Sequence, residues 1–301
     1  MKIFKFEKDF SKEILEANNY FLQEENGKIF AIEKNILDAF KTANNLNFPE
    51  QNKRHKISNS EIINKDLTIV TGLWDIERPN RPFEIYLEHF EKILMLPNYL
   101  YIYIPPNLES FVWERRKKEN TFIKIMDFHE LKNFYGPLWI ETQKIRKNPD
   151  WFNQAEWLKN SPQALCEWYN PIVQSKLPML NDARILNPFN TDYFIWLDAG
   201  ITLTVNENLI LKDRIFDKIN YYLDQFLFLS YPYQADKEIH GFAYEAMNKY
   251  SKANVKYVCR GGLFGGHKNF ISEANGTYWS ILHSSLNEGY MGTEESIFTI
   301  M

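Results

Sequence analysis

Apolar positions along the chain switch between two spacings. Leu67-Thr68-Ile69-Val70-Thr71 is a β-branched run ending at Gly72, which predicts a buried strand. Pro82 then opens an amphipathic helix through Leu94, with Phe83, Tyr86, Leu87, Phe90 and Leu94 on one stripe. Tyr99 to Ile104 reads as a second strand closed by Pro105-Pro106, Leu108 to Lys118 as a helix, and Phe122 to Met126 as a third strand. Residues 137–181 are helical in pattern and rich in Trp. Tyr193 to Leu197 is a fully apolar strand that stops abruptly at Asp198-Ala199-Gly200. A helix over Asp213 to Asp224 and a strand over Phe226 to Tyr231 follow. Val255 to Cys259 leads into a glycine cluster, and Asn269 to Leu286 is helical. This alternation predicts an α/β fold, a Rossmann-type, mostly parallel central sheet with helices on both faces.

Upstream the pattern is different. Residues 1–46 read as a small, mainly helical segment, with Phe10, Ile14, Leu15 and Phe21 on one face. A short strand at Lys28 to Ile32 interrupts it, and Ile36 to Ala43 is a further helix. Residues 47–66 are polar and nearly free of large apolar side chains, which predicts a linker. The basic cluster Lys53-Arg54-His55-Lys56 within it fits a solvated linker better than a phosphate or lipid site. The main domain is then 67–301.

Composition narrows the classes. With 301 residues and 45% hydrophobic positions the chain can bury a substantial core, so wholesale disorder is excluded. The net charge of −4 disfavours a dedicated nucleic-acid binder, which would carry a basic face. The start, MKIFKFEKDF, is too broken by charge to be a secretory signal. The longest charge-free run, Ile93 to Leu108, holds three prolines and predicts no spanning helix. Two cysteines make no disulfide framework and no metal knuckle, so a reducing cytosol is the default expectation.

Three segments could carry chemistry. A carboxylate at the end of the Tyr193–Leu197 strand can stand at the mouth of the sheet, where open α/β sheets bind ligands. Asp198 there faces either a metal or a nucleotide sugar, or it only caps the following turn. Gly200 lets a ligand approach the backbone. Arg78, Arg81, Lys176 and Arg184 could neutralise a diphosphate, and their strand-end positions favour Arg78 and Lys176. In Arg260-Gly261-Gly262-Leu263-Phe264-Gly265-Gly266-His267 the glycine spacing is neither GxGxxG nor a P-loop, and a flexible turn with a packing role is the simpler reading. In Gly292-Thr293-Glu294-Glu295-Ser296 the two acids suit a helix dipole behind a Thr293 cap, or one serves as a base for an acceptor hydroxyl.

Taken together, TIVTGLWDIERPNRP, YNPIVQSKLPML, TDYFIWLDAGI, RGGLFGG and GTEES resemble the HtrL/YibB (WlaTB) family, a bacterial group associated with surface-polysaccharide loci and regarded as glycosyltransferase-like. The resemblance runs from about Thr68 to the C-terminus. It implies a GT-A-like domain that moves a sugar from a nucleoside-diphosphate sugar to a capsule or lipooligosaccharide glycan, free or lipid-linked. It further implies Thr71 and Gly72 at the nucleotide, and Arg78 and Lys176 at the diphosphate. Asp198 and Gly200 would hold the donor, with Mn²⁺ or Mg²⁺ on Asp198. Gly261, Gly262, Gly265 and Gly266 would line the acceptor side, with Glu294 or Glu295 as base or clamp. The Asp-x-Asp pattern of such enzymes is incomplete here: Trp196 or Gly200 stands where a second acid would be.

The missing acid motivates a rival expectation, a non-catalytic glycan- or protein-binding module in surface-polysaccharide assembly; a nucleotidyltransferase is a third. The expected location is the cytoplasm, at most peripheral to the inner membrane. Because Thr299-Ile300-Met301 falls inside an apolar element, the family domain is expected to continue beyond it. The enzymatic expectation requires that Asp198 open onto a crevice and not be buried in a salt link.

Overall fold

The computed structural model describes residues 67–208 and 225–301 other than 80, 234 and 236, together with the backbone at 21–25 and 28–32. Strands β1 (Phe21–Glu25) and β2 (Lys28–Ile32) form an antiparallel hairpin with Glu25 opposite Lys28. The β2 strand agrees with the sequence pattern, but Phe21 opens a strand instead of closing a helical face. The physical signal lies in the intervening Asn26-Gly27 pair, the strongest short-range hairpin sequence. The helices read at Phe10–Phe21, Ile36–Ala43 and Asp213–Asp224 and the linker at 47–66 lie mostly or wholly outside the described residues.

The main domain opens with β3 (Leu67–Gly72), α1 (Phe83–Leu94), β4 (Tyr99–Ile104), α2 (Glu109–Trp113) and β5 (Thr121–Ile125). Helices α3 (Phe128–Tyr135), α4 (Leu138–Arg146), α5 (Tyr169–Gln174) and α6 (Lys176–Leu186) lead to β6 (Tyr193–Leu197). Then come β7 (Phe226–Pro232), the two-residue strands β8 (Glu238–Ile239) and β9 (Phe242–Ala243), α7 (Tyr244–Ser251), β10 (Tyr257–His267), α8 (Lys268–Asn287) and α9 (Glu294–Ile300). The 137–181 stretch is helical but broken, because Pro149 and Pro162 each start a new single turn.

Six strands form one sheet in the order β5-β4-β3-β6-β10-β7. Neighbours β5, β4, β3 and β6 are parallel, and β10 runs antiparallel to both β6 and β7. The two-residue period divides its side chains cleanly. Ile69, Leu100, Ile102, Ile195 and Leu197 pack with α1 on one face, while Val70, Tyr101, Tyr103, Phe194 and Trp196 pack with α6, α8 and α9 on the other. This is the covered, mostly parallel α/β sheet that the sequence predicts.

The glycine cluster is not a turn. Gly261, Gly262, Gly265 and Gly266 lie inside β10. A Cβ on Gly265 would come within 2.2 Å of the Phe194 carbonyl oxygen, and one on Gly266 within 1.9 Å of that of Gln225. Glycine here lets three backbones pack closely at the centre of a sheet.

Chain direction across the sheet fixes where a ligand can bind. From β3 the chain steps outward through β4 to β5, then returns to place β6 on the other side of β3. In open α/β sheets the crevice outside the carboxyl ends at such a reversal is the usual ligand site.

Candidate functional site

A crevice of about 410 Å³ opens at that reversal, lined by Gly72 at the end of β3, Leu73 after it, and Asp198 to Ile201 after β6. Side chains from the Asp75–Arg81 loop, α1, α5, the start of α6, β10 and the start of α9 complete it. The Asp198 amide donates to the Gly262 carbonyl at 3.0 Å, so the β6–β10 ladder carries Asp198 to the edge of the sheet.

On the crevice floor a single ammonium gathers three elements. Lys176 Nζ lies 2.7 Å from Asp198 Oδ1, 3.0 Å from Asp198 Oδ2 and 2.6 Å from Glu294 Oε1, and 3.3 Å from the Gly261 carbonyl oxygen. Its residue is only 6% exposed. Burial alone would lower its pKa, but the Asp198 and Glu294 charges outweigh it and hold the ammonium well above the usual lysine range. Trp196 Nε1 donates to Asp198 Oδ1 at 2.7 Å and fixes that carboxylate. Asp198 therefore meets the sequence requirement in unequal parts: it faces the crevice and keeps about a third of its side chain exposed, yet it is ion-paired. This donor set does not fit a bare divalent cation, since the Asp198 oxygens and a Glu294 oxygen already face an ammonium. Among the described residues no cluster of three or more His, Cys, Asp or Glu is disposed to hold a metal.

Glu295 has a separate set of partners. His240 Nε2 stands 2.9 Å from Glu295 Oε2, and the Gly261 amide donates to Oε1 at 2.8 Å. Arg260 Nε lies 3.8 Å from the same Oε1. β10 shifts register against β7 between Arg260 and Phe264, and this bulge frees both the N–H and the C=O of Gly261 for the site. His240 adopts φ 52°, in the left-handed region, which turns it toward the crevice ahead of Gly241. Burial would raise the Glu295 carboxyl, but the His240 hydrogen bond and charge, with Arg260 and the Gly261 amide, hold it down at about 2. Burial, reinforced by the neighbouring Glu295 and Asp198 charges, pushes Glu294 up to about 7 against the pull of Lys176.

The outer wall is basic and aromatic. Arg78 Nη1 donates to the Tyr86 hydroxyl at 2.6 Å, and Arg81 Nη1 reaches the same oxygen at 3.4 Å. Arg78 also lies over the Tyr169 ring, 5.6 Å from its centre. Neither guanidinium pairs with a carboxylate among the described residues. Deeper in, Gln163 and Thr293 line the crevice, and their buried Oε1 and Oγ1 atoms have no hydrogen-bond partner among the described residues.

Of the residues expected from the sequence, Gly72, Arg78, Lys176, Asp198, Gly200, Gly262, Glu294 and Glu295 line this one crevice. Gly261 meets it through its backbone. Thr71 is fully buried within β3 one position short of the lining. Gly265 and Gly266 lie farther along β10, packed on β6 and Gln225. Thr293 precedes α9 at the cap position but makes no side-chain capping bond. His240 and Arg260 join the site without being singled out by the sequence. The available signals are the Arg next to the glycine cluster and the His-Gly pair between two short strands.

The chain belongs to the family described as a bacterial protein of unknown function (HtrL_YibB), whose profile matches residues 58–300. The match begins within the segment read as a linker. The chain is also similar to Protein HtrL of Escherichia coli (strain K12), at 26% identity over 172 residues. That alignment covers 52% of this chain and 59% of the relative, so the chain spans about three fifths of the length of the curated protein it matches. Among the described residues no helix is long and apolar enough to cross a membrane.

Proposed function

We propose that this chain is a glycosyltransferase of GT-A-like architecture, which moves a sugar from a nucleoside-diphosphate sugar to a glycan acceptor. The observation that carries the reading is the crevice itself. At the reversal of strand order it sets Arg78 and Arg81, which meet the Tyr86 hydroxyl and, among the described residues, no carboxylate, across from a floor of carboxylates. Two guanidiniums so placed suit a diphosphate, whose charge must be neutralised as it departs. Tyr86 and Tyr169 offer aromatic surface for a base or sugar ring.

In the transfer, an acceptor hydroxyl oxygen forms a bond to the anomeric carbon. The bond from that carbon to the diphosphate oxygen breaks, and the nucleoside diphosphate leaves. Two neighbouring carboxyls with well-separated proton affinities divide the remaining work. Glu295 stays ionised and orients His240. Glu294 titrates near neutrality, which suits it to accept the acceptor proton in an inverting course. The surface-glycan acceptor rests on the family resemblance, and the cytoplasmic location on the two free cysteines, Cys166 and Cys259.

The test is product analysis with the full chain, a panel of UDP-, GDP- and dTDP-sugars, and a truncated lipooligosaccharide acceptor. Release of a nucleoside diphosphate with extension of the acceptor is the expected result. Pyrophosphate release would indicate a nucleotidyltransferase. Consumption of no donor, with glycan binding retained, would indicate the non-catalytic module.

A further inference from the structure

The floor of the crevice already holds a cation that belongs to the chain. Asp198 at the end of β6, Glu294 at the start of α9 and the Gly261 carbonyl in the β10 bulge present hard oxygen donors to one point, and Lys176 Nζ occupies it. Carboxylate and carbonyl oxygens are what Mg²⁺ or Mn²⁺ takes, but at about 2.0–2.1 Å for Mg²⁺. The observed separations, 2.6 to 3.3 Å, are those of N–H···O bonds.

Among the described residues, the groups that meet the Lys176 ammonium are those oxygens. Lys176 is the first residue of α6, where the helix dipole disfavours positive charge, and it is buried. An ammonium so placed also repels any second cation at contact distance. We propose that the Lys176 ammonium is the resident cation of this crevice, standing where a divalent metal would bind, so that the chain takes up its anionic ligand without Mg²⁺ or Mn²⁺. The raised proton affinity of Lys176 agrees with this, because the ammonium does not yield its proton to admit a metal near neutral pH.

This deepens the donor-binding reading but is measured without a donor, so either can fail alone. The probe is Mn²⁺, followed by electron paramagnetic resonance as loss of the free-ion signal on titration with the full chain at pH 7.5. The wild type leaves the signal essentially unchanged. Lys176→Ala opens the oxygen cage and binds one Mn²⁺ per chain, at least tenfold more tightly than the wild type. Because Lys176→Ala leaves buried carboxylates uncompensated, Lys176→Gln serves as a second variant that keeps a hydrogen-bond donor, with circular dichroism to verify the fold of each. Stoichiometric Mn²⁺ binding by the wild type that is lost in Asp198→Asn overturns the proposal. Equal, weak binding by the wild type and a folded Lys176 variant also overturns it, since the cage would then be no cation site.

Discussion

Glu294 and Glu295 are adjacent at the start of α9, yet their carboxyls are driven in opposite directions. Glu294 lies in the Lys176 cage and is pushed up to about 7, chiefly by burial, while Glu295, held by His240, Arg260 and the Gly261 amide, falls to about 2. One turn of helix thus presents a carboxyl that exchanges its proton near neutrality and a carboxylate that stays charged.

The pair leaves a signature in stability against pH. Glu294 binds its proton more tightly folded (about 7) than its ordinary value of 4.5, so its contribution falls as pH rises from about 4.5 to about 7. Glu295 does the reverse: its contribution is complete above about 4.5 and is lost as pH falls toward about 2. In thermal melts, Glu294→Gln is expected to flatten the decline between pH 5 and 7 while leaving the acid limb in place. An unchanged slope would show that Glu294 does not titrate there.

The same substitution bears on turnover. If Glu294 takes the acceptor proton, Glu294→Gln lowers kcat by about 10²- to 10⁴-fold with little change in donor affinity. It also removes the limb of the kcat/KM profile that rises through about pH 7. Steady-state kinetics across pH 5.5 to 8.5 check this, and equal loss of donor affinity would reassign Glu294 to binding.

The arginine pair is expected to set affinity for the diphosphate. Charge-assisted hydrogen bonds contribute about 1.5–3 kcal/mol each, so Arg78→Ala or Arg81→Ala weakens nucleoside diphosphate binding by roughly 10- to 100-fold. The effect shrinks at high salt. Binding isotherms at two ionic strengths give the answer, and nucleosides lacking phosphate should bind both variants as they bind the wild type.

Two glycines make a contrasting pair. A Cβ on Gly261 would stand 2.0 Å from Glu294 Oε1, so Gly261→Ala pushes the carboxylate out of the cage and destabilises by about 1–3 kcal/mol. Gly276 lies within α8 and, among the described residues, nothing comes within 4 Å of an added Cβ, so Gly276→Ala stabilises by about 0.5–1 kcal/mol. Chemical denaturation of both separates a glycine required by close approach from one that is merely tolerated.

Much of the fold is written in local pattern. The β6 strand matches its YFIWL run residue for residue, and β3, β4, β5 and β7 lie within one residue of their runs; the inner strands β4 and β6 are buried on both faces and so read as continuous apolar runs, while the edge strands β5 and β7 are only partly buried. Asp198 was visible for the same reason, as the first carboxylate after such a run. β10 was not, since four glycines in six positions look like a turn until β6 and Gln225 are seen crowding that backbone. Nor does any local signal join Lys176 to Glu294, which are 118 positions apart and meet only through the packing of α6, β10 and α9. The diphosphate role read for Lys176 passes to Arg78 and Arg81 in the proposed mechanism, because the Lys176 ammonium is already enclosed by protein oxygens.

Isothermal titration of the full chain with UDP, GDP and dTDP, in EDTA and again with Mn²⁺, tests the donor crevice most directly. At least one nucleoside diphosphate should bind with one site per chain, and the heat should vanish in the Arg78→Ala/Arg81→Ala double variant. Absence of binding by every nucleotide under both conditions, or binding that survives loss of both arginines, would contradict the account.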